Sequence, residues 1–190
     1  MNSTASNASF DEVSCIIPGL FLSGMAIARN PMKLTDLRIT HIVCCCTWNE
    51  FPEADQIPGL TYLRIDVEDM SREPIEIFFD EACDFISESL DNHEGVLVHC
   101  RSGVSRSSTI VLSFLIKKMG MRLSESFFLL RSKRGIVTPN IGFMARLLEA
   151  EKEVLGSASV SLQRYSQWYT SDSRPAIPDI EVHGADDSQH

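Results

Sequence analysis

The sequence predicts a single α/β domain with a central, mainly parallel sheet flanked by helices, and two observations support that fold class. Strand-like and helix-like segments alternate over residues 13–155, as expected when helices connect parallel strands. Gly95–His99 is a short apolar segment, which is typical of a strand covered on both faces at the centre of such a sheet. The 190 residues, of which 44% are hydrophobic, are enough to bury one sizeable core.

The individual elements follow from residue type and spacing. β-Branched and apolar residues predict strands at Val13–Ile17, Leu20–Ser23, Ile39–Cys45, Thr61–Val67 and Gly95–His99. Apolar residues at helical spacing predict helices at Pro31–Leu37 (with Asn30 as its cap), Pro74–Leu90, Ser107–Met119, Ser124–Lys133 and Asn140–Leu155.

The two ends of the chain fall outside this pattern. Residues 1–12 are predicted to be disordered, and residues 156–190 are predicted to form a mostly disordered acidic tail. Three aromatic residues within Gln163–Tyr169 are the exception in that tail, because they offer a surface that can dock on the domain.

The overall composition excludes several classes of function. A net charge of −9 without a basic cluster argues against a nucleic-acid partner. The apolar runs are too short to span a membrane and no signal peptide is visible, so we expect no membrane anchor and residence in the cytoplasm, the nucleus or both. The six cysteines would then stay reduced. Cys15, Cys83 and Cys100 lack the paired short spacings of a zinc site, so we expect no metal and no cofactor.

The segment His99–Ser107 carries the chemistry. Cys100 and Arg106 are separated by five residues, and the segment lies directly between a predicted strand and a predicted helix. A tight loop at that place turns its amide groups inward and forms an anion-binding cradle. Gly103 allows the backbone to turn closely around the bound anion.

Each residue type in this loop can be explained by a chemical role. The inward amides, the helix N-terminus and Arg106 stabilise a thiolate at Cys100, and the thiolate is the form that attacks phosphorus. Ser107 can donate a hydrogen bond to the sulfur and ease its departure. The residues predicted to hold the phosphoryl oxygens are Arg101, Ser102, Gly103, Val104, Ser105 and Arg106. The loop is therefore predicted to remove a phosphoryl group from an ester.

Three stretches of the chain resemble the cysteine-dependent protein phosphatases, specifically the small atypical dual-specificity phosphatases. They are Val96–Ser107, Tyr62–Asp69 and Pro139–Phe143, and the resemblance covers about residues 13–155. It implies the protein-tyrosine-phosphatase fold, a cysteinyl-phosphate intermediate and no metal. It also implies hydrolysis of phosphotyrosine and of phosphoserine or phosphothreonine, so the expected partners are phosphorylated proteins, with signalling kinases among the candidates.

A general acid must protonate the leaving oxygen of the ester. Three carboxyl groups are candidates, namely Asp66, Glu68 and Asp69, all near the end of one predicted strand. The family resemblance places the acid at the start of the loop after that strand, which selects Asp69. Asp66 is the alternative, although within the strand it is better suited to local hydrogen bonding.

The resemblance also suggests supporting residues around the loop. His99 is expected to hydrogen-bond backbone near the loop and to tune the thiol. Asn140 is expected to brace the loop through its amide, and it is equally suited to cap the following helix. Arg134 stands where the family commonly carries an arginine, and both a substrate contact and a solvated helix end fit it.

Three consecutive cysteines stand where relatives usually have an asparagine and small residues. Alternation along a strand places Cys44 and Cys46 on one face and Cys45 on the other. One hypothesis is that Cys46, or failing that Cys44, forms a disulfide with oxidised Cys100 and protects it from further oxidation. The other is that all three are small hydrophobic residues of a buried strand.

Two other functions use similar parts. The same loop chemistry serves phosphatases for phosphoinositides or RNA 5′-phosphates, although positions 102–105 lack the lysines that lipid-directed relatives usually carry. A catalytically weak module that binds phosphoproteins is the non-enzyme alternative. The presence of Cys100, Arg106 and Asp69 argues against that module.

Overall fold

A five-stranded sheet forms the centre of the molecule in this computed structural model, which describes residues 12–172 and 178–181. The prediction for residues 1–11 lies outside that range. The strands are β1 (Ser14–Ile17), β2 (Leu20–Gly24), β3 (Ile39–Cys44), β4 (Thr61–Arg64) and β5 (Gly95–Cys100). Their order in the sheet is β1-β2-β5-β3-β4, and only the edge pair β1–β2 is antiparallel. The predicted α/β fold with a mainly parallel sheet is confirmed.

The position of β5 decides where a site can form. This strand lies between β2 and β3 and runs parallel to both, with Gly24 opposite Cys100 and Cys44 opposite His99. All residues of Gly95–Cys100 are buried, as their apolar character predicts. Ligand sites of such sheets lie beyond the carboxyl ends of the strands, and Cys100 is the last residue of β5.

Seven helices surround the sheet within the described residues. They are α1 (Met25–Ala28), α2 (Pro31–Asp36), α3 (Phe79–Asp91), α4 (Arg106–Lys117), α5 (Leu123–Lys133), α6 (Ile141–Leu155) and α7 (Leu162–Thr170). Helix α4 follows the Cys100 loop and packs against β2, β5, α3, α5 and α6. Its residues Arg106–Ile116 are all buried. None of the helices in the described part of the chain is both long and apolar enough to cross a bilayer.

Two elements differ from their predicted bounds by three residues or more, and the other predicted elements differ by one or two residues at an end. The strand predicted at Thr61–Val67 ends at Arg64, because the amide of Val67 bonds the carbonyl of Ile65 at 3.1 Å and the chain turns there. The helix predicted to begin at Pro74 starts as a 3₁₀ turn, Ile75–Phe78, and becomes α-helical at Phe79.

The structure also differs from the predicted disordered tail over residues 156–172. The buried carboxylate of Glu151 accepts hydrogen bonds from the amide and the hydroxyl of Ser159, at 2.8 and 2.6 Å, and from the amide of Leu123 at 2.9 Å. These bonds fix the chain that leads into α7. Tyr165 and Trp168 of α7 are buried, each with its ring about edge-on to Phe127. The aromatic segment thus docks on the domain, because three aromatic side chains bury more area than a polar tail can.

Candidate active site

The loop between β5 and α4 is held from the outside through its carbonyl groups. The carbonyls of residues 101–104 each accept a hydrogen bond from a group outside the loop. In chain order the donors are the Met25 amide at 3.2 Å, Arg134 Nη2 at 3.1 Å, Arg134 Nε at 2.8 Å and the Thr138 amide at 2.9 Å. Because N–H and C=O point in opposite directions in a trans peptide, outward carbonyls turn the amides toward the inside of the loop. The anion-binding cradle predicted from the sequence is therefore formed by backbone amides that point into the loop.

Gly103 is required at its place in this loop. Its φ of +67° lies in the left-handed region, which favours glycine. A Cβ at this position would also stand 2.6 Å from the backbone carbon and oxygen of Ser23. Close passage of the loop over the end of β2 thus depends on the absence of a side chain.

Cys100 lies at the floor of the cradle. Its Sγ accepts a hydrogen bond from the Gly103 amide at 3.2 Å and from the Ser107 hydroxyl at 3.1 Å. The side chain is 2% exposed. Both donors stabilise negative charge on the sulfur, and Ser107 makes the contact for which the sequence places it.

Arg106 is buried and makes an ion pair that the sequence analysis missed. Its Nη1 and Nη2 donate to the two carboxylate oxygens of Glu50, at 2.5 and 3.0 Å. Nη1 also donates to the Val67 carbonyl at 3.1 Å. Glu50 is itself held by the amide of Thr47 at 3.1 Å. The hydrogen bonds from Arg106 keep the pKa of the Glu50 carboxyl below its ordinary value.

This pairing leaves one edge of the guanidinium for substrate. A guanidinium has five N–H hydrogens in a fixed fork, of which Glu50 and Val67 accept three. Nε and the second hydrogen of Nη2 form the remaining edge, and Nε has no hydrogen-bond partner in the described part of the chain. One edge with two parallel donors matches two phosphoryl oxygens.

Asp69 lies beside the loop and is anchored on one carboxylate oxygen. Its Oδ1 accepts hydrogen bonds from the Ser105 hydroxyl at 2.7 Å and from Asn140 Nδ2 at 2.9 Å. Asp69 lines the open pocket above Cys100 together with Glu68. Asp66 is exposed and does not line it.

The pocket contains most of the residues predicted to hold phosphate. Arg101, Ser102, Val104, Ser105 and Arg106 line it, with Cys100 at its base. Gly103 contributes its amide to the sulfur.

Arg134 has neither of the two roles that the sequence left open. Its side chain is fully buried. Besides the carbonyls of Ser102 and Gly103 it binds the carbonyl of Glu12, at 2.9 Å from Nη1. Arg134 is therefore a brace beneath the phosphate loop, and a buried arginine needs such acceptors because an unpaired charge is costly to bury.

Asn140 makes three contacts at the start of α6. Its Oδ1 accepts from the Phe143 amide at 3.0 Å, which is the helix cap considered from the sequence. The expected brace to the phosphate loop runs through its backbone amide, which donates to Ser105 Oγ at 3.0 Å. The side-chain amide goes to Asp69 instead. Tyr165 of α7 supports this segment, since its hydroxyl donates to the Pro139 carbonyl at 2.5 Å.

His99 does not make the backbone hydrogen bond expected from the family resemblance. The ring is fully buried, and its polar contact within the described residues is with the thiol of Cys46 rather than with a backbone group. It packs against the Phe51 ring with a centroid separation of 4.9 Å.

The three cysteines divide between the two faces of the sheet, and the hypothesis that Cys46 pairs with Cys100 does not fit this register. Cys44 lies opposite His99, and its pKa is lowered by the hydrogen bond from Cys46 and by the charge of Arg64. Cys45 lies on the other face, the face of Cys100. Burial raises the pKa of Cys45, and the charge of the Cys100 thiolate raises it further.

Gly142 fixes the loop that carries Asp69. A Cβ at Gly142 would lie 2.0 Å from the backbone oxygen of Ser71, so an alanine there must push that loop away. We expect Gly142→Ala to lower kcat roughly 10- to 100-fold for an alkyl phosphate, because a misplacement of about 1 Å costs that much. For an aryl phosphate with an acidic leaving group, which departs without being protonated, kcat should change little. Steady-state kinetics with both substrates measure this, and an equal loss on both would contradict it.

Comparison with known proteins agrees with this geometry. The model of the family "dual specificity phosphatase, catalytic domain" matches residues 20–153. Dual specificity protein phosphatase 1B of Arabidopsis thaliana is 38% identical over 147 residues, which cover 77% of this chain and 86% of the relative. Dual specificity protein phosphatase 14 of Bos taurus is 30% identical over 171 residues, which cover 87% and 85%.

Solved structures show the same fold. The human tyrosine phosphatase-like serine/threonine/tyrosine-interacting protein superposes with a TM-score of 0.69 and 33% identity, over 75% of this chain and 97% of that one. The structure of DUSP15 gives a TM-score of 0.68 and 30% identity, over 83% and 94%.

The central strand of this parallel sheet ends in a Cys-x5-Arg loop that can bind an anion, and the fold is shared with these structures. Together these features define a cysteine-based phosphatase site. The chain belongs to the dual specificity phosphatase family. It is accordingly a protein phosphatase, and its substrates are phosphorylated proteins.

Proposed function

We propose that the protein hydrolyses phosphotyrosine and phosphoserine or phosphothreonine in proteins through a covalent phosphate on Cys100. The observation that carries this proposal is the alignment of three groups on one pocket. The sulfur of Cys100 accepts two hydrogen bonds at the floor, Arg106 presents a free edge at the side, and Asp69 stands at the mouth.

In the first step the Cys100 thiolate attacks phosphorus, and the S–P bond forms as the P–O bond to the substrate breaks. The inward amides and the free edge of Arg106 hold the three phosphoryl oxygens and stabilise the charge of the transition state. The protonated Asp69 gives its proton to the leaving oxygen, so that an alcohol or phenol departs rather than an anion.

In the second step a water molecule attacks phosphorus and the S–P bond breaks. Asp69, now a carboxylate, takes the proton from this water. The sulfur leaves as a thiolate, and the hydrogen bond from Ser107 Oγ at 3.1 Å stabilises that leaving group. Inorganic phosphate is released and the starting protonation states are restored.

The shape of the pocket supports action on both kinds of phosphoester. Arg101, Glu68 and Asp69, which line it, are exposed, so the cysteine is reached from an open surface rather than through a deep cleft. A short phosphoserine or phosphothreonine side chain can approach such a site as well as the longer phosphotyrosine side chain.

Trapping the intermediate on defined substrates tests this proposal. We expect hydrolysis of phosphotyrosine and phosphothreonine peptides from a signalling-kinase activation loop. Acid quench and mass spectrometry should place a phosphate on the Cys100 peptide, while Cys100→Ser serves as the control that binds without forming it. Hydrolysis confined to phosphoinositides or RNA 5′-phosphates would overturn the substrate class. Tight binding of phosphopeptides without turnover would favour a binding module.

Replacing the general acid should change the pH dependence of the reaction. We expect Asp69→Asn to lower kcat for a phosphopeptide about 100-fold, because proton transfer to the leaving group contributes that order of acceleration. The limb of the profile of kcat against pH that depends on the general acid should be absent in the variant. Stopped assays across pH measure both effects.

Asp66→Asn is the matched control, because Asp66 lies three residues earlier and outside the pocket. It should keep the wild-type profile. A variant pair in which Asp66→Asn loses the limb and Asp69→Asn keeps it would transfer the role to Asp66.

A further inference from the structure

A cluster of three soft ligands lies behind the phosphate loop and has no part in the proposed reaction. Cys44 and Cys46 come from the end of β3, and His99 comes from the neighbouring strand β5. One ligand atom from each lies within 4.8 Å of the other two. All three side chains are fully buried.

The strand register explains why these residues meet. Cys44 lies directly opposite His99 in the parallel pair of β3 and β5, so both side chains project from the same face. Cys46, two residues further on, returns to that face while Cys45 points to the other. A Cys-x-Cys segment beside a histidine on the next strand thus forms a three-point chelate.

Weakly paired and unpartnered polar groups around the cluster point to a ligand. In the described part of the chain the thiol of Cys46 is the one polar group that the buried ring nitrogens of His99 meet, and a thiol is a weak hydrogen-bonding partner for a buried imidazole. Nε and Nη1 of Arg64 are buried and have no hydrogen-bond partner among the described residues. Nη2 of Arg64 donates to the carbonyls of Thr47 and Cys46, at 2.9 and 3.4 Å, which places this guanidinium next to the thiols.

The charge of the site suits two thiolates with one monovalent ion. Such a centre carries a net charge of −1, and the guanidinium of Arg64 carries the compensating charge. Stacking on the Trp48 ring, 3.9 Å from its centroid, holds that guanidinium in place. In the metal ion an imidazole nitrogen of His99 gains a stronger partner than the thiol of Cys46.

The number of ligands selects the ion. Structural zinc sites are almost always four-coordinate, and among the described residues this fully buried cluster offers three ligands and no fourth. Thiolate ligands select soft ions such as Cu(I), which is stable with three ligands. We propose that Cys44, Cys46 and His99 form a three-coordinate Cu(I) site.

Binding at this site is an exchange without a change of oxidation state. Two Cu–S bonds and one Cu–N bond form as the bonds between Cu(I) and the chelator that delivers it break, and any proton on either thiol leaves to solvent.

Competition against a chromophoric Cu(I) chelator under anaerobic, reducing conditions tests the site. We expect one equivalent of Cu(I) to bind the full chain, and X-ray absorption to show two sulfurs and one nitrogen around it. Cys44→Ala and Cys46→Ala should each weaken binding about 100-fold or more, because loss of a ligand exceeds the 10- to 100-fold effect of an outer-shell contact. Thermal unfolding of each variant establishes that it is folded.

Cys45→Ala is the matched control, since Cys45 lies on the same strand end, is equally buried and faces away from the cluster. It should bind Cu(I) like the wild type. Equal affinity of wild type and Cys44→Ala would overturn the proposal. So would loss of binding in Cys100→Ser, which would place the ion on the catalytic thiol, or Zn²⁺ binding as tight as that of Cu(I).

Discussion

Replacing Arg134 with Met is expected to remove phosphatase activity and to destabilise the fold, although Arg134 lies behind the loop that binds phosphate. The variant leaves the carbonyls of Ser102, Gly103 and Glu12 without their donor. Loss of several buried hydrogen bonds to one charge should lower the free energy of unfolding by on the order of 3–5 kcal/mol. With two carbonyls free to rotate, the inward amides lose their alignment. We expect kcat/KM to fall about 1000-fold, as for the removal of an oxyanion-binding donor.

Two variants separate this bracing role from a general effect of charge. Lys133→Met removes a cation from the adjacent, exposed position of the same helix and should leave both quantities near their wild-type values. Arg134→Lys keeps the charge but has one nitrogen for three carbonyls, so it should fall between wild type and Arg134→Met. Urea unfolding and steady-state kinetics with a phosphotyrosine peptide measure the series. Full activity in a folded Arg134→Met protein would contradict the prediction.

The parts of the site that the sequence predicts are those that lie close together in the chain. Cys100, Arg106 and Ser107 are fixed relative to one another by one strand end and one helix start, so their spacing is enough to place them. The alternation of strands and helices is likewise a local pattern, and the sheet follows from it.

The parts that the sequence does not predict depend on contacts between distant segments. Arg134 is 31 residues beyond Gly103, and nothing in its local pattern distinguishes a buried brace from a solvated helix end. The same holds for the pairing of Cys44 with His99, because a register between two strands 55 residues apart is a tertiary property. Docking of α7 depends on the buried Glu151, and the sequence does not predict that burial because a charged residue is normally expected at the surface.

For Glu50, its position in the sequence does indicate its contact with Arg106. It follows β3, and the carboxyl ends of β3 and β5 meet at the same edge of a parallel sheet. A carboxylate beyond one strand end and a buried arginine beyond the next are therefore expected to meet. Because a buried arginine needs an acidic or carbonyl partner, these positions in the sequence predict the pair.

Replacing Glu50 with Ala is expected to lower kcat/KM about 1000-fold, because Arg106 loses the contact that orients its free edge toward phosphate. Without a carboxylate, Nη1 and Nη2 of Arg106 turn to other acceptors, and the bidentate geometry is lost. Glu50→Gln retains the shape but not the charge and should be affected less. Both variants should lower kcat more than they raise KM, since the contact strengthens in the transition state.

The pH dependence of stability identifies the same pair independently of catalysis. The pKa of Glu50 is lower in the folded protein than its ordinary 4.5, so its contribution to stability is complete above the ordinary value and is lost as pH falls through the lowered one. The free energy of unfolding of wild type minus that of Glu50→Gln should be constant above about pH 5 and shrink in more acidic solution. A difference between wild type and Glu50→Gln that does not vary with pH would show that the ion pair with Arg106 does not stabilise the folded protein.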